Sequence, residues 1–134
     1  DYRQALPATT PGLYPNTPGT DHHMGSTNHA MKNQLNVMSI FNAMGMKLQD
    51  VIKAASWAPA VAIRREDLGN LSIGAVADVA ILNVVKGNYG FWDRMGAKVT
   101  GKQRLECEMT IRNGRIVYDL NGIANPIVVN PVRR

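Results

Sequence analysis

From Lys32 onward the apolar positions fall at helical spacing. Leu35, Val37, Met38, Ile40, Phe41 and Met44 make a broad apolar face, with Lys32, Asn36 and Ser39 opposite. Gly45 suits the left-handed position that ends a helix. Leu48, Val51, Ile52 and Ala55 then repeat at i, i+3, i+4 and i+7, which predicts a second, shorter helix ending before Trp57-Ala58-Pro59. Pro59 fits the first turn of a third short helix through Ile63, where its missing N–H has no partner to lose. The methionines of the first helix read as flexible core filler rather than as a cofactor site.

Beyond the glycines at 69 and 74 the period changes. The run Val79 to Val85 predicts a buried strand, and Tyr89-Gly90-Phe91-Trp92 a short aromatic one. Leu105, Cys107, Met109 and Ile111 alternate with Glu106, Glu108, Thr110 and Arg112, the signature of a strand with one face in a core, so Cys107 is expected inside it. Asn113-Gly114 predicts a tight hairpin, since both residues tolerate positive φ, and residues 115–118 return antiparallel. Upstream, Pro7, Pro11, Pro15 and Pro18 stand too close together for a helix or central strand, so residues 1–30 are expected to form a long irregular loop lining a site. Helices and strands are segregated, which makes the class α+β.

Composition narrows the function classes. With 45% hydrophobic and 19% charged residues, the 134-residue chain is globular, with material for one modest core. The lone Cys107 allows neither an intrachain disulfide nor a cysteine zinc cluster, and fits a reducing, cytoplasmic setting. No apolar run spans a bilayer, residues 1–20 lack the charged-then-apolar pattern of a leader, and the start at Asp1 suggests a fragment. Net charge is +5, with 4 basic and 3 acidic residues in 1–56 against 11 and 7 in 57–134. Lys98, Lys102, Arg104, Arg112 and Arg115 are interspersed with Glu106 and Glu108, not clustered with exposed aromatics, so nucleic acid is not the expected partner.

The densest candidate chemistry is Thr20-Asp21-His22-His23. A carboxylate can bind a divalent metal and accept a proton, and imidazoles are nitrogen ligands, yet three groups do not complete a metal shell. Asp21 could equally shape an Asx turn or cap a helix. His29, beside a helix start, reads as a surface or capping residue. Asp-His-His also occurs in the DHH metal phosphoesterases, but there it follows a buried strand and needs further acidic motifs, whereas Pro15 and Pro18 precede it here.

Leu68-Gly69-Asn70-Leu71-Ser72-Ile73-Gly74-Ala75-Val76-Ala77-Asp78-Val79-Ala80 resembles the G-x-L-x-x-G-x-x-A-D-[VL]-[AV] run of the amidohydrolase superfamily. Ser56-Trp57-Ala58-Pro59-Ala60 looks like the preceding T-x-N-P-A segment, with Ala58 in place of Asn, and Thr110 to Val117 is similar to the closing strand pair. The dihydroorotase-like amidohydrolase/deacetylase branch is the nearest in pattern, with S-[ST]-D-L-H where Gly19 to His23 stands here and His22 replacing Leu.

The resemblance implies that residues 1–67 are the C-terminal segment of a TIM-type (β/α)8 barrel, its last strand and loop with their helices. Residues 68–122 would supply strands of the small flanking β-sandwich, and 123–134 a basic tail. It implies that Asp21 binds a divalent metal, zinc in a binuclear centre, and is the catalytic proton acceptor in hydrolysis of an amide C–N bond by metal-activated hydroxide. His23 would be a substrate-binding residue. The family's His-x-His, carboxylated lysine and later histidine ligands have no counterparts in this chain, so the fragment alone is expected to be inactive. Asp78 is expected to be structural, accepting backbone N–H groups at the start of its strand. A small-molecule amide is the implied partner, with no membrane or nucleic acid. Homo-oligomerisation or association through exposed barrel surface is expected, and a non-catalytic interaction fragment is the alternative.

Overall fold

The computed structural model describes residues 1–10, 12–27 and 32–126. Four helices, α1 (Tyr2–Thr9), α2 (Gln34–Ala43), α3 (Leu48–Ala55) and α4 (Trp57–Ala62), precede three strands, β1 (Val79–Trp92), β2 (Lys98–Arg112) and β3 (Arg115–Asp119). The strands form one antiparallel sheet in the order β1-β2-β3. The α+β class is as expected; His29 and most of the basic tail lie outside the described residues.

Local chemistry accounts for the helix boundaries. The Asn33 side chain accepts the N–H of Asn36 at 2.8 Å, occupying one of the unpaired donors of the first turn of α2. At the other end Gly45 takes φ 103°, its N–H reaches Asn42 O at 3.0 Å, and that of Met46 reaches Phe41 O at 3.0 Å. These two bonds define a Schellman C-cap, which needs a residue free to adopt positive φ. Pro59 sits in the first turn of α4, as its missing donor predicts.

Residues 1–30 do not form a continuous loop. Tyr2–Thr9 is helical with Pro7 inside it. The Asp1 side chain caps the Arg3 N–H at 2.9 Å, and the Tyr2 N–H is held at 2.7 Å by the buried carboxylate of Asp93, 91 residues away. Tertiary anchoring thus overrides the proline, which removes one helical bond and crowds the carbonyl one turn back.

Two apolar clusters form the core. Tyr2 and Ile40 pack with Phe91 and Val99; Met38, Met46, Val51 and Ala54 pack with Leu105. Complete burial of a valine such as Val37 or Val51 is worth about 1.5–3 kcal/mol. Ser39 corrects the helical pattern. Placed on the polar side by periodicity, it is buried beneath β2, donating to Leu35 O at 2.7 Å and accepting the Leu105 N–H at 2.9 Å. A hydroxyl that satisfies its own helix and a facing strand costs the core little.

The sheet departs from the expected pattern in three ways. The two predicted early strands are one, β1, continuous through a register irregularity between Lys86 and Tyr89. Residues 79–85 are not buried, Ile81 and Val84 being 40% and 41% exposed, because α2 covers only part of the ribbon. Alternation also breaks at a bulge, where Ile81 pairs with Met109 but Leu82 with Cys107. The intervening Glu108, expected on the polar face, is buried, its Oε2 accepting from the Asn83 and Asn121 amides at 2.6 and 2.7 Å. Cys107 is only half-buried, beside Thr110 Oγ1 at 3.3 Å. The hairpin is as predicted, with Asn113 at φ 47° and Gly114 at φ 75°. Among the described residues no helix is long and apolar enough to cross a membrane.

Candidate functional site

The segment leading into the Asp21 turn is pinned to the two ends of α2. Pro18 O accepts the Gln34 side-chain N–H at 3.1 Å, and the Tyr14 hydroxyl donates to Met44 O at 3.2 Å. Beyond these anchors Asp21 takes φ 42°, a left-handed conformation that aspartate tolerates better than most residues. The reversal leaves Asp21, His22 and His23 exposed.

The turn is closed by residues that the sequence pattern did not single out. His23 O accepts the N–H groups of Ser26 and Thr27 at 2.9 and 3.1 Å, and Ser26 Oγ takes the His23 N–H at 2.9 Å. Ser26 Oγ also lies 3.1 Å from Asp21 O. Gly25 N–H donates to His23 Nδ1 at 3.1 Å, and Thr27 Oγ1 lies 3.3 Å from His22 Nε2. The legible signal for these clamps was the Gly25-Ser26-Thr27 composition, typical of side-chain-bonded turns. Capping thus falls to Ser26 and Thr27. The N–H that an Asx turn at Asp21 would use, that of His23, goes to Ser26 Oγ.

The three sequence neighbours share a turn without converging on a metal. Among the described residues no group of three or more His, Cys, Asp or Glu side chains is placed to hold an ion. An apolar pocket of about 340 Å³ lies between α2, α3 and β1, walled by Met38, Ile52, Ala55, Leu71, Val79 and Leu82; the Asp21 turn takes no part in it.

Asp78 is structural, as expected: its Oδ1 accepts the Asn113 N–H at 2.7 Å, while Ala77 O accepts the Gly114 N–H at 2.9 Å. Gly69 at φ 69° packs so tightly that an added Cβ would lie 2.5 Å from Ser56 O. The segments carrying the superfamily resemblance therefore touch one another: Gly69 against Ser56, and Asp78 against the terminal hairpin.

Among solved structures, the chain is similar to a dihydroorotase (24% identity, TM-score 0.72, covering 87% of this chain and 32% of that one). It is also similar to an adenine deaminase (23% identity, TM-score 0.82, 89% and 32%). It thus spans about a third of the length of either, and the likeness is one of fold. No curated protein matches the chain. The sequence profile of the amidohydrolase family matches residues 15–118, from ahead of the Asp21 turn to the last strand. By that match the chain belongs to the amidohydrolase family.

Proposed function

We propose that this chain is the C-terminal part of a metal-dependent amidohydrolase that hydrolyses the C–N bond of a small cyclic amide or N-acyl compound. The observation that carries the reading is the family match, whose span takes in Asp21, the Gly69 to Ala80 run and the closing hairpin. Its span also favours an amidohydrolase over a DHH phosphoesterase.

In this reading residues 1–67 complete a TIM-type barrel and residues 68–122 part of the flanking sandwich. Asp21 supplies one carboxylate to a divalent metal, zinc by the family's habit, and accepts the proton of the attacking water. The remaining ligands come from outside this chain, so the chain alone is inactive. His23 faces the substrate. The protein acts in the cytoplasm, on neither nucleic acid nor membrane. The exposed Leu71, Ile73 and Ile63 favour association with the rest of the barrel or with a second copy.

The test is turnover by the complete polypeptide on N-acyl amino acids and cyclic amides. Asp21→Asn should lower kcat by about 10²–10⁴-fold, the range for loss of a proton-transferring group, with the circular dichroism spectrum unchanged. Retained turnover in that variant removes Asp21 from the chemistry.

A further inference from the structure

Asparagine is followed by glycine twice in this chain, at Asn113-Gly114 and at Asn121-Gly122. Asparagine is a thermolabile residue, and a following glycine exposes it further, because no side chain shields the peptide nitrogen that attacks the amide. On sequence alone the two pairs are equivalent. The fold makes them different.

In the hairpin it is the attacking nitrogen that is held. Asn113 and Gly114 are exposed, with Asn113 in the left-handed region at φ 47°. The Gly114 N–H, which must lose its hydrogen before the nitrogen can attack, donates to Ala77 O at 2.9 Å. The Asn113 N–H donates to Asp78 Oδ1 at 2.7 Å, so the two residues ahead of β1 clamp both residues of the turn. Exposed backbone bonds of this kind open without global unfolding.

At the second pair it is the side chain that is held. Asn121 Nδ2, the leaving nitrogen, donates to Glu108 Oε2 at 2.7 Å, and the same oxygen takes the Asn83 amide at 2.6 Å. Glu108 is 6% exposed, and its carbonyl accepts the Leu120 N–H at 2.8 Å. Turning the Asn121 side chain onto its own backbone would strip a buried carboxylate of one of its amide donors, and the acid formed would face that carboxylate. Such an opening belongs to unfolding of the sheet, not to fraying of a turn.

We propose that Asn113 is a site of spontaneous deamidation in the folded protein, gated by release of Gly114 from Ala77, and that Asn121 is held inert by Glu108. The Gly114 nitrogen gives its proton to solvent and forms a bond to Asn113 Cγ. The bond from Cγ to Nδ2 breaks, and the nitrogen takes up a proton and leaves as ammonia. Water then opens the cyclic imide at either carbonyl, leaving aspartate or isoaspartate; in sum, amide and water become acid and ammonia. Both products put a carboxylate on the residue bonded to Asp78, and isoaspartate adds a main-chain carbon to a two-residue turn. The reaction therefore weakens the clamp that restrains it.

The test incubates the full chain at mildly alkaline pH, folded and in denaturing urea, and locates the acid products by peptide mass spectrometry. In the folded chain product should accumulate at residue 113 and not at residue 121; in urea the two should form at similar rates. Asp78→Ala should speed the reaction at Asn113 about twofold to tenfold, the worth of one hydrogen bond, without exposing Asn121. Asp78→Asn keeps an acceptor oxygen and should leave the rate nearly unchanged. In the unmodified chain, subdenaturing urea should raise amide exchange at Gly114 and deamidation at Asn113 by the same factor, a comparison that needs no variant. Equal rates at the two asparagines in the folded chain overturn the role of Glu108. Faster Gly114 exchange without faster deamidation, or a folded-state rate at Asn113 equal to that in denaturing urea, overturns the gate.

Discussion

The carboxylate of Asp78 accepts the N–H of Asn113 at 2.7 Å, joining the start of β1 to the hairpin that turns β2 into β3. This bond fixes the hairpin from outside. Asp78→Ala should cost about 0.5–1.5 kcal/mol, the ordinary worth of one hydrogen bond, and speed amide exchange at Asn113 and Gly114 before any other site. Asp78→Asn, which keeps an acceptor oxygen, should recover most of it. Urea denaturation together with residue-resolved exchange measures both; unchanged exchange at Asn113 would contradict the clamp.

Gly69 is required twice over, by its positive φ and by the Ser56 carbonyl 2.5 Å from where a Cβ would stand. Backbone cannot yield as a flexible side chain does. Gly69→Ala should destabilise the chain by about 1–3 kcal/mol in equilibrium unfolding. Gly74, also at positive φ but with nothing within 4 Å, should cost less when changed to alanine, so equal losses would refute the role given to Ser56.

Ser39 serves α2 and β2 at once. Ser39→Ala leaves the buried Leu105 N–H unpaired and should cost about 1–3 kcal/mol, although alanine is the better helix former. Thermal unfolding followed by far-ultraviolet dichroism reads the difference. A stability gain would mean that helix propensity outweighs the strand contact.

Asp93 and Tyr2 set opposite pH limits. The Asp93 carboxylate accepts N–H bonds from Tyr2, Ala97 and Met95, which hold its pKa below the usual range, although burial opposes this. Its stabilisation is therefore complete above the ordinary aspartate value of about 3.9 and is lost as pH falls through the lower folded value. Burial, seconded by the Asp93 charge, pushes the Tyr2 phenol from 10.0 to about 12. That contribution is complete below pH 10 and is lost as pH rises through about 12. Tyr2→Phe should flatten the alkaline limb of a stability-versus-pH curve and leave the acid limb, while Asp93→Asn should flatten the acid limb.

Much of this architecture was legible because it depends on neighbours in sequence. The apolar spacing of residues 35–55, Gly45 as a helix stop, Pro59 in a first turn and Asn113-Gly114 as a hairpin each encode a local backbone preference, and each took the predicted form. The candidate site was legible as composition only. Asp21, His22 and His23 could be named from the sequence, but how the turn that carries them closes is decided by Gly25, Ser26 and Thr27.

By itself, the sequence determined the α+β class, the helices between residues 34 and 62, the hairpin and the family, because periodicity, caps and motif spacing are properties of short stretches. Only the tertiary structure decided that Tyr2–Thr9 is a helix despite Pro7, that Ser39 and Glu108 lie inside, and that residues 79–92 form one half-exposed strand. Each of those depends on a partner far along the chain: Asp93 for Tyr2, Leu105 for Ser39, Asn83 for Glu108. A local pattern assigns a polar residue to water by default; a distant hydrogen-bond partner can bring it into the core.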